Sequence, residues 1–483
     1  MRAPGRAAAG RAASGGAASG GAGAAAGREL FGPGVSGPRA LRRVVLGRAP
    51  CGRTARAVHA AAAALLALAL GAVALRGVAE PRVALAFTVL IALGECVRIT
   101  LPGDREQAPI GAAGALAYAL LGPLRGVPTA HGTLQVVAVT GAGLLLGRLA
   151  GLVLPDRALP DGPGRPHRRP PWADPARRDG AARRVLAVGF AGAVFQPLYN
   201  GGMVDRFSPE GPAYGVFLTA VAALAALCDA TLAALLRRSG GGLRFPAALE
   251  DELRSLFGIG SAIVATGMLV SLAAGEVGLW ALPLFCTPLL LAQVSFRRAA
   301  AVRATTGQTI ASLARATEVA GYTPHGHARR VADTACALGR ELGLGTRELA
   351  LLEYAALMHD VGQLSLVEPV PDGATALLPE AEQQRIARLG SEVISRTGVP
   401  RQVAEQVARL ADPCTGPASG DGPVPLASRI IRVANAHDDL LTAARGRGVG
   451  EAVGRLEALE ALRLGRGRVY DARVVDALAR VGG

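Results

Sequence analysis

The stretch Glu348–Gln363, ELALLEYAALMHDVGQ, decides how the rest of the chain is read. Leu349, Leu352 and Ala356 recur at helical intervals, so the spacing predicts a buried helix. Just beyond Ala356 come His359 and Asp360. An imidazole and a carboxylate set side by side at the end of an apolar helix suit a metal ion. A His-Asp pair also serves as an ordinary helix-end charge and turn former, and His437-Asp438 is a second such pair. What flanks the first pair therefore has to decide its meaning.

Working outward, the 483 residues are 51% hydrophobic and 18% charged, with a mean hydropathy of +0.33. Soluble domains are nearer a quarter charged, so this balance points to a membrane protein. The net charge is +15, and every basic residue behind it is an arginine. A basic chain invites a nucleic-acid reading. Here the arginines flank apolar segments, which fits membrane topology, and no nucleic-acid partner is expected. Cys51, Cys96, Cys228, Cys286, Cys336 and Cys414 show no paired spacing, so neither a zinc site nor a disulfide framework is implied.

Residues 1–55 are an Arg/Ala/Gly-rich tail unable to bury a core, and are expected to be disordered. From 56 to 295 the pattern predicts a multi-pass α-helical membrane domain. Its candidate spans are 57–75, 82–101, 108–123, 133–154, 185–200, 212–236, 258–275 and 277–296, about eight in all. Arginines crowd the segment before the first span, the loop 155–184 and the loop 237–257, and nearly vanish from the loops between. That alternation places both termini in the cytoplasm of a bilayer-embedded chain. The spans lack paired Gly/Pro breaks, which argues against a transporter. Glu95, Arg148 and Asp229 are ionisable residues inside spans. Either Arg148 snorkels to the interface, or it pairs with Asp229 or Glu95 between helices.

Residues 296–320 read as a connector helix. Val302, Thr306, Ile310, Leu313, Thr317 and Ala320 form a heptad-like stripe, fitting a plain connector or a homodimer seam. From 321 to 483 helical patterns follow one another at about 326–342, 346–360, 378–396, 400–411, 425–443, 449–463 and 471–481. A cytoplasmic all-helical domain of roughly 160 residues can bury its own core.

The motif YTPHGH at 322–327 leads into one of these helices. Together with His359-Asp360 and IIRVANAHDDL at 430–440, it resembles the HD superfamily of metal-dependent phosphohydrolases. More narrowly it is similar to the HD-GYP branch, whose characterised members hydrolyse cyclic di-GMP. The likeness runs over about 318–441 and again near Tyr470, and implies a helical bundle with a metal site among its helices. By that resemblance His327 is the first histidine ligand, His359 and Asp360 the signature pair, with Asp360 catalytic, and Glu318 the outlying acid. The family's lysine falls on Gln363, its next histidine on Ile386, and its adjacent histidines on Leu410 and Ala411. The GYP block is replaced by DPCTGPASG from Asp412, and the last aspartate ligand falls on Asn435.

A multi-metal phosphodiesterase centre needs a bridging carboxylate and several imidazoles. With three histidines and one carboxylate gone, the expected site is mononuclear: His327, His359 and Asp360 around one divalent ion (Mg, Mn or Fe), with Asn435 adding a neutral oxygen. His325 and His437 are further candidates. Two functions follow: a single-metal phosphohydrolase acting on a nucleotide or cyclic dinucleotide, or a signalling module that kept the fold and lost the reaction.

Overall fold

The computed structural model describes residues 52–101, 105–153, 175–203, 212–241, 244–370, 373–414 and 423–481. The expected disordered tail lies outside the described residues up to 51, as do 154–174 of the Arg-rich loop and 415–422 of the loop that replaces the GYP block.

The first half is a bundle of helices: α1 (Arg53–Arg76), α2 (Pro81–Cys96), α3 (Pro109–Ala119), α4 (Thr133–Val153), α5 (Pro175–Asn200), α6 (Pro212–Gly241), α7 (Phe245–Ser255), α8 (Ser261–Val277) and α9 (Ala281–Val319). Among the described residues four stretches are long and apolar enough to cross a membrane: Arg53–Arg76, Thr133–Gly151, Pro212–Ser239 and the run Phe245–Val319. Phe87, Ile91, Tyr118, Phe195, Leu218 and Leu289 fill the core of this half. Small residues allow the closest contact, because a side chain in place of the Gly94 hydrogen would meet the Gly111 backbone nitrogen of α3.

Two expectations are corrected here. The second span does not continue to 101: its helix stops at Cys96, and Ile99–Leu101 (β1) pairs antiparallel with Arg105–Gln107 (β2). The Pro102-Gly103 sequence disfavours continuing a helix, and Arg98 reaches Glu106 beside the strand pair at 3.5 Å. Nor does Arg148 pair with Asp229 or Glu95. It donates to the Arg177 carbonyl at 3.1 Å, while Arg183 binds Asp229 in a two-point fork (3.1 and 2.5 Å) and Arg184 reaches Glu95 at 2.5 Å. Both pairing arginines lie in the third turn of α5, in what reads from sequence as an Arg-rich loop.

The last apolar helix and the connector are one element. α9 runs 39 residues without a break, about 58 Å at the helical rise. Its upper part leaves Val302 exposed, but further along Ala314 and Thr317 are buried and Ile310 joins a second core formed by the C-terminal half. The lower stripe thus packs inside its own chain, and burial of Ile310 alone is worth about 1.5–3 kcal/mol.

That second core is enclosed by α10 (His327–Leu342), α11 (Thr346–Leu357), α12 (Glu380–Ser395), α13 (Arg401–Ala408), α14 (Leu426–Gly446), α15 (Glu451–Leu464) and α16 (Ala472–Val481). No strand occurs here among the described residues apart from an isolated bridge at Arg466 and Tyr470. The helix carrying the His-Asp pair ends at Leu357, three residues before the expected boundary. His359 and Asp360 sit on the turn between it and a 3-10 segment, Val361–Ser365.

The two halves touch at the start of α11. Asp251 of α7 accepts the Thr346 N–H at 2.9 Å and its hydroxyl at 2.5 Å, and Arg237 of α6 donates to the same hydroxyl at 2.6 Å. Leu349, one turn further along, packs against Phe245, Ala248 and Ala234. The first N–H groups of any helix lack partners within it; here one of them finds its acceptor on the other half of the molecule.

Candidate metal centre

His327 opens α10 and His359 follows α11, and each ring is fixed through Nδ1. The His327 Nδ1–H donates to Asp438 Oδ2 at 2.8 Å, and the His359 Nδ1–H to the Ala356 carbonyl at 2.8 Å. Both Nε2 atoms are thereby turned inward, 3.3 Å apart. Asp360 is held by the Thr375 hydroxyl on Oδ1 (3.1 Å) and presents Oδ2 at 3.3 Å from His327 Nε2 and 3.2 Å from His359 Nε2. Gly362 makes this approach feasible, since any side chain there would run into the Ile386 carbonyl of α12.

Asn435 of α14 completes the group. Thr375 gives its one hydroxyl hydrogen to Asp360, so it must accept from Asn435 Nδ2 (3.0 Å), which turns Oδ1 toward His359 Nε2 at 3.1 Å. The structure thus brings together all four predicted ligands: His327, His359, Asp360 and Asn435.

Lone-pair atoms crowded this closely need something positive between them. Donors about 2.1 Å from one ion stand about 3.0 Å apart at a right angle and about 3.4 Å at the tetrahedral angle. The observed 3.1–3.3 Å separations fall in that range. Asp360 Oδ2 is moreover buried and faces the two imidazole nitrogens. His327, His359 and Asp360 could therefore form a metal site, and their donor atoms all lie within 4.8 Å of one another.

The electrostatics agree. Burial would push His327 down, but the Asp360 and Asp438 carboxylates outweigh it and raise the imidazole to about 10. His359 is raised in the same way by Asp360. Burial likewise pushes Asp360 up, yet the two imidazoles carry it well below the ordinary carboxylate range. Without an ion, protons hold the cluster together. An Asp360 so firmly ionised is a good ligand and a poor proton acceptor.

The secondary candidates lie elsewhere. His325 is almost wholly exposed and faces Glu318 at 3.3 Å, so this pair stands outside the cluster. His437 is not among the clustered ligands either; its neighbour Asp438 is the residue that matters, bound also by Arg330 at 2.8 and 2.9 Å. Thr375, Arg330 and Asp438 were not read from sequence as parts of the site. Only Asp438 left a trace, one helical turn from Asn435.

A cavity of about 80 Å³ adjoins the cluster, with His359, Asp360 and Asn435 among its lining residues. Ile386, Leu410 and Ala411, the positions where the family's other histidines are expected, also line it. The substitutions thus fall in the same hollow as the retained ligands.

Comparison with known proteins now has a geometry to attach to. The HD domain family matches residues 325–439, a span holding all four clustered residues and Asp438. This region has the HD-domain pattern. Over 187 residues the chain is 32% identical to the cyclic di-GMP phosphodiesterase response regulator RpfG of Xanthomonas campestris pv. campestris (strain 8004), covering 36% of this chain and 47% of that protein. The chain thus spans about half the length of this curated relative. No solved structure matches.

Proposed function

We propose that the protein is a membrane-anchored HD-domain phosphohydrolase of signalling type, with one divalent ion held by His327, His359, Asp360 and Asn435. The observation that carries this is the clustering of the His327, His359 and Asp360 ligand atoms within 4.8 Å of one another, with Asn435 Oδ1 3.1 Å from His359 Nε2. When bound, such an ion supplies positive charge to a phosphoryl oxygen and acidifies water. The chain's own residues orient the ligands: Asp438 and the Ala356 carbonyl aim the imidazoles, and Thr375 aligns Asp360 with Asn435.

The similar protein is named a cyclic di-GMP phosphodiesterase. In this chain Ile386, Leu410 and Ala411 give the cavity an apolar wall where further ligands would be needed, so cyclic di-GMP cleavage is weak or lost. The apolar helices of the first half supply the bilayer anchor, about eight spans with both termini cytoplasmic, and α9 with the Asp251–Thr346 contact joins it to the site. That same apolar wall favours a second reading, a binding module without turnover.

Metal analysis of the full chain in detergent, beside His359→Ala, tests the proposal. One ion per chain, lost in the variant, together with hydrolysis of phosphate esters supports the enzyme. One ion without turnover supports the module, and no ion in either protein removes the enzyme reading.

A further inference from the structure

Arg432 is a basic residue lining the cavity beside the cluster, and nothing described so far uses it. It stands one helical turn before Asn435 on α14, so the two share a face. Its Nη1 donates to the carbonyls of Ala411 (2.8 Å) and Asp412 (2.5 Å), which anchors the guanidinium against the segment where adjacent histidines are expected. A guanidinium has five N–H donors. Its Nε and Nη2 hydrogens find no protein acceptor among the described residues.

We infer that Arg432 supplies the positive charge that a second ion would have brought to this hollow, and that it receives the terminal phosphoryl group of a phosphomonoester. The inference rests on the single-ion reading above and adds to it the substrate class. Three observations meet in it. A fixed guanidinium with uncommitted donors pairs with phosphate through a two-point fork. The hollow holds about 80 Å³, against about 300–1,000 Å³ for pockets that enclose a drug-sized ligand, so it admits a phosphoryl head and leaves the remainder of the molecule outside. Finally, a terminal phosphoryl group carries nearly two negative charges, suited to one divalent ion and one guanidinium. A cyclic dinucleotide offers only internal diesters, each with a single charge and a substituent on both sides. The competing role for Arg432 is purely mechanical, pinning the Ala411–Asp412 backbone.

The full-length protein in detergent is loaded with Mn²⁺, its metal content counted, and then titrated calorimetrically with inorganic phosphate. Wild type binds phosphate; Arg432→Gln keeps the ion and loses at least about tenfold in phosphate affinity, and Arg432→Lys recovers part of it. Equal phosphate binding by wild type and Arg432→Gln overturns the proposal and leaves the metal reading intact. Absence of bound Mn²⁺ in wild type overturns both, and the count before titration shows which has failed. Cyclic di-GMP displacing phosphate with higher affinity overturns the monoester class. Should Arg432→Gln not fold, the wild type decides alone: phosphate protects Arg432 from phenylglyoxal, read by peptide mass spectrometry, and equal labelling with and without phosphate overturns the assignment.

Discussion

Asp438 binds His327 Nδ1 at 2.8 Å from the side opposite the ligand cluster, and is itself gripped by Arg330 at 2.8 and 2.9 Å. This chain of contacts decides which nitrogen of His327 faces inward. Carboxylates in that position orient metal-binding imidazoles, and their loss typically costs 10–100-fold in metal affinity. Asp438→Ala should therefore weaken Mn²⁺ binding by about that factor, while His437→Ala next to it should leave binding unchanged. Metal titration of both variants checks this. Equal losses would mean that the helix is disturbed and that Asp438 has no orienting role.

The same contacts set a pH dependence. His327 is raised to about 10, so its imidazole carries the extra proton at neutral pH in the metal-free protein, and Asp360 shifts His359 in the same upward direction. An ion needs the lone pairs of both imidazoles and must displace the protons held there. Affinity should climb as pH rises from 6 to 8, with up to about two protons released per ion, measurable by titration in buffers of different ionisation enthalpy. For the metal-free protein the sign is opposite. A group raised on folding stabilises fully below its unfolded value near 6.5 and loses that contribution as pH passes about 10. Chelated protein should therefore lose stability between pH 7 and 10, and metal-loaded protein should lose less.

How far the sequence foretells this architecture depends on how local each signal is. His327, His359 and Asp360 were legible because each sits in a short motif at a helix end, and Asn435 because it sits in the short motif IIRVANAHDDL within α14. Apolar periodicity likewise marked the helices of both halves. What escaped was made by tertiary contact. Thr375 lies in a Gly/Pro-marked connection with no motif, and matters only because folding brings it between Asp360 and Asn435. Arg183 and Arg184 looked like loop charge, since nothing in their neighbourhood says that α5 starts eight residues earlier and carries them against Asp229 and Glu95. The stripe at Ile310 was visible, but the burial of Ile310 in the core of the C-terminal half is made by tertiary contact.

Asp251 caps the first turn of α11, the helix whose far end delivers His359 and Asp360. Loss of a side-chain cap costs about 0.5–2 kcal/mol. At about 1 kcal/mol, opening of that turn becomes roughly fivefold more frequent. Asp251→Ala should thus speed amide hydrogen exchange near Thr346–Leu349 by about that factor. Glu250→Ala, next to it but paired only locally with Arg254 on the exposed face, should not. If the exchange rates of the two variants agree, α11 does not depend on the first half of the molecule for its start.

The half-buried charges of the first half give a further test, because the two candidate partners of Asp229 predict different arithmetic. Arg183 grips Asp229 through two nitrogens, whereas Arg148 is spent on the Arg177 carbonyl. Residues in direct contact couple by about 0.5–3 kcal/mol, while residues sharing no partner add. Asp229→Ala and Arg183→Ala should therefore each destabilise the detergent-solubilised protein, and the double variant should lose clearly less than the sum. Arg148→Ala combined with Asp229→Ala should show simple addition. Unfolding curves in sodium dodecyl sulfate measure both cycles. Coupling in the Arg148 cycle and addition in the Arg183 cycle would reverse the pairing.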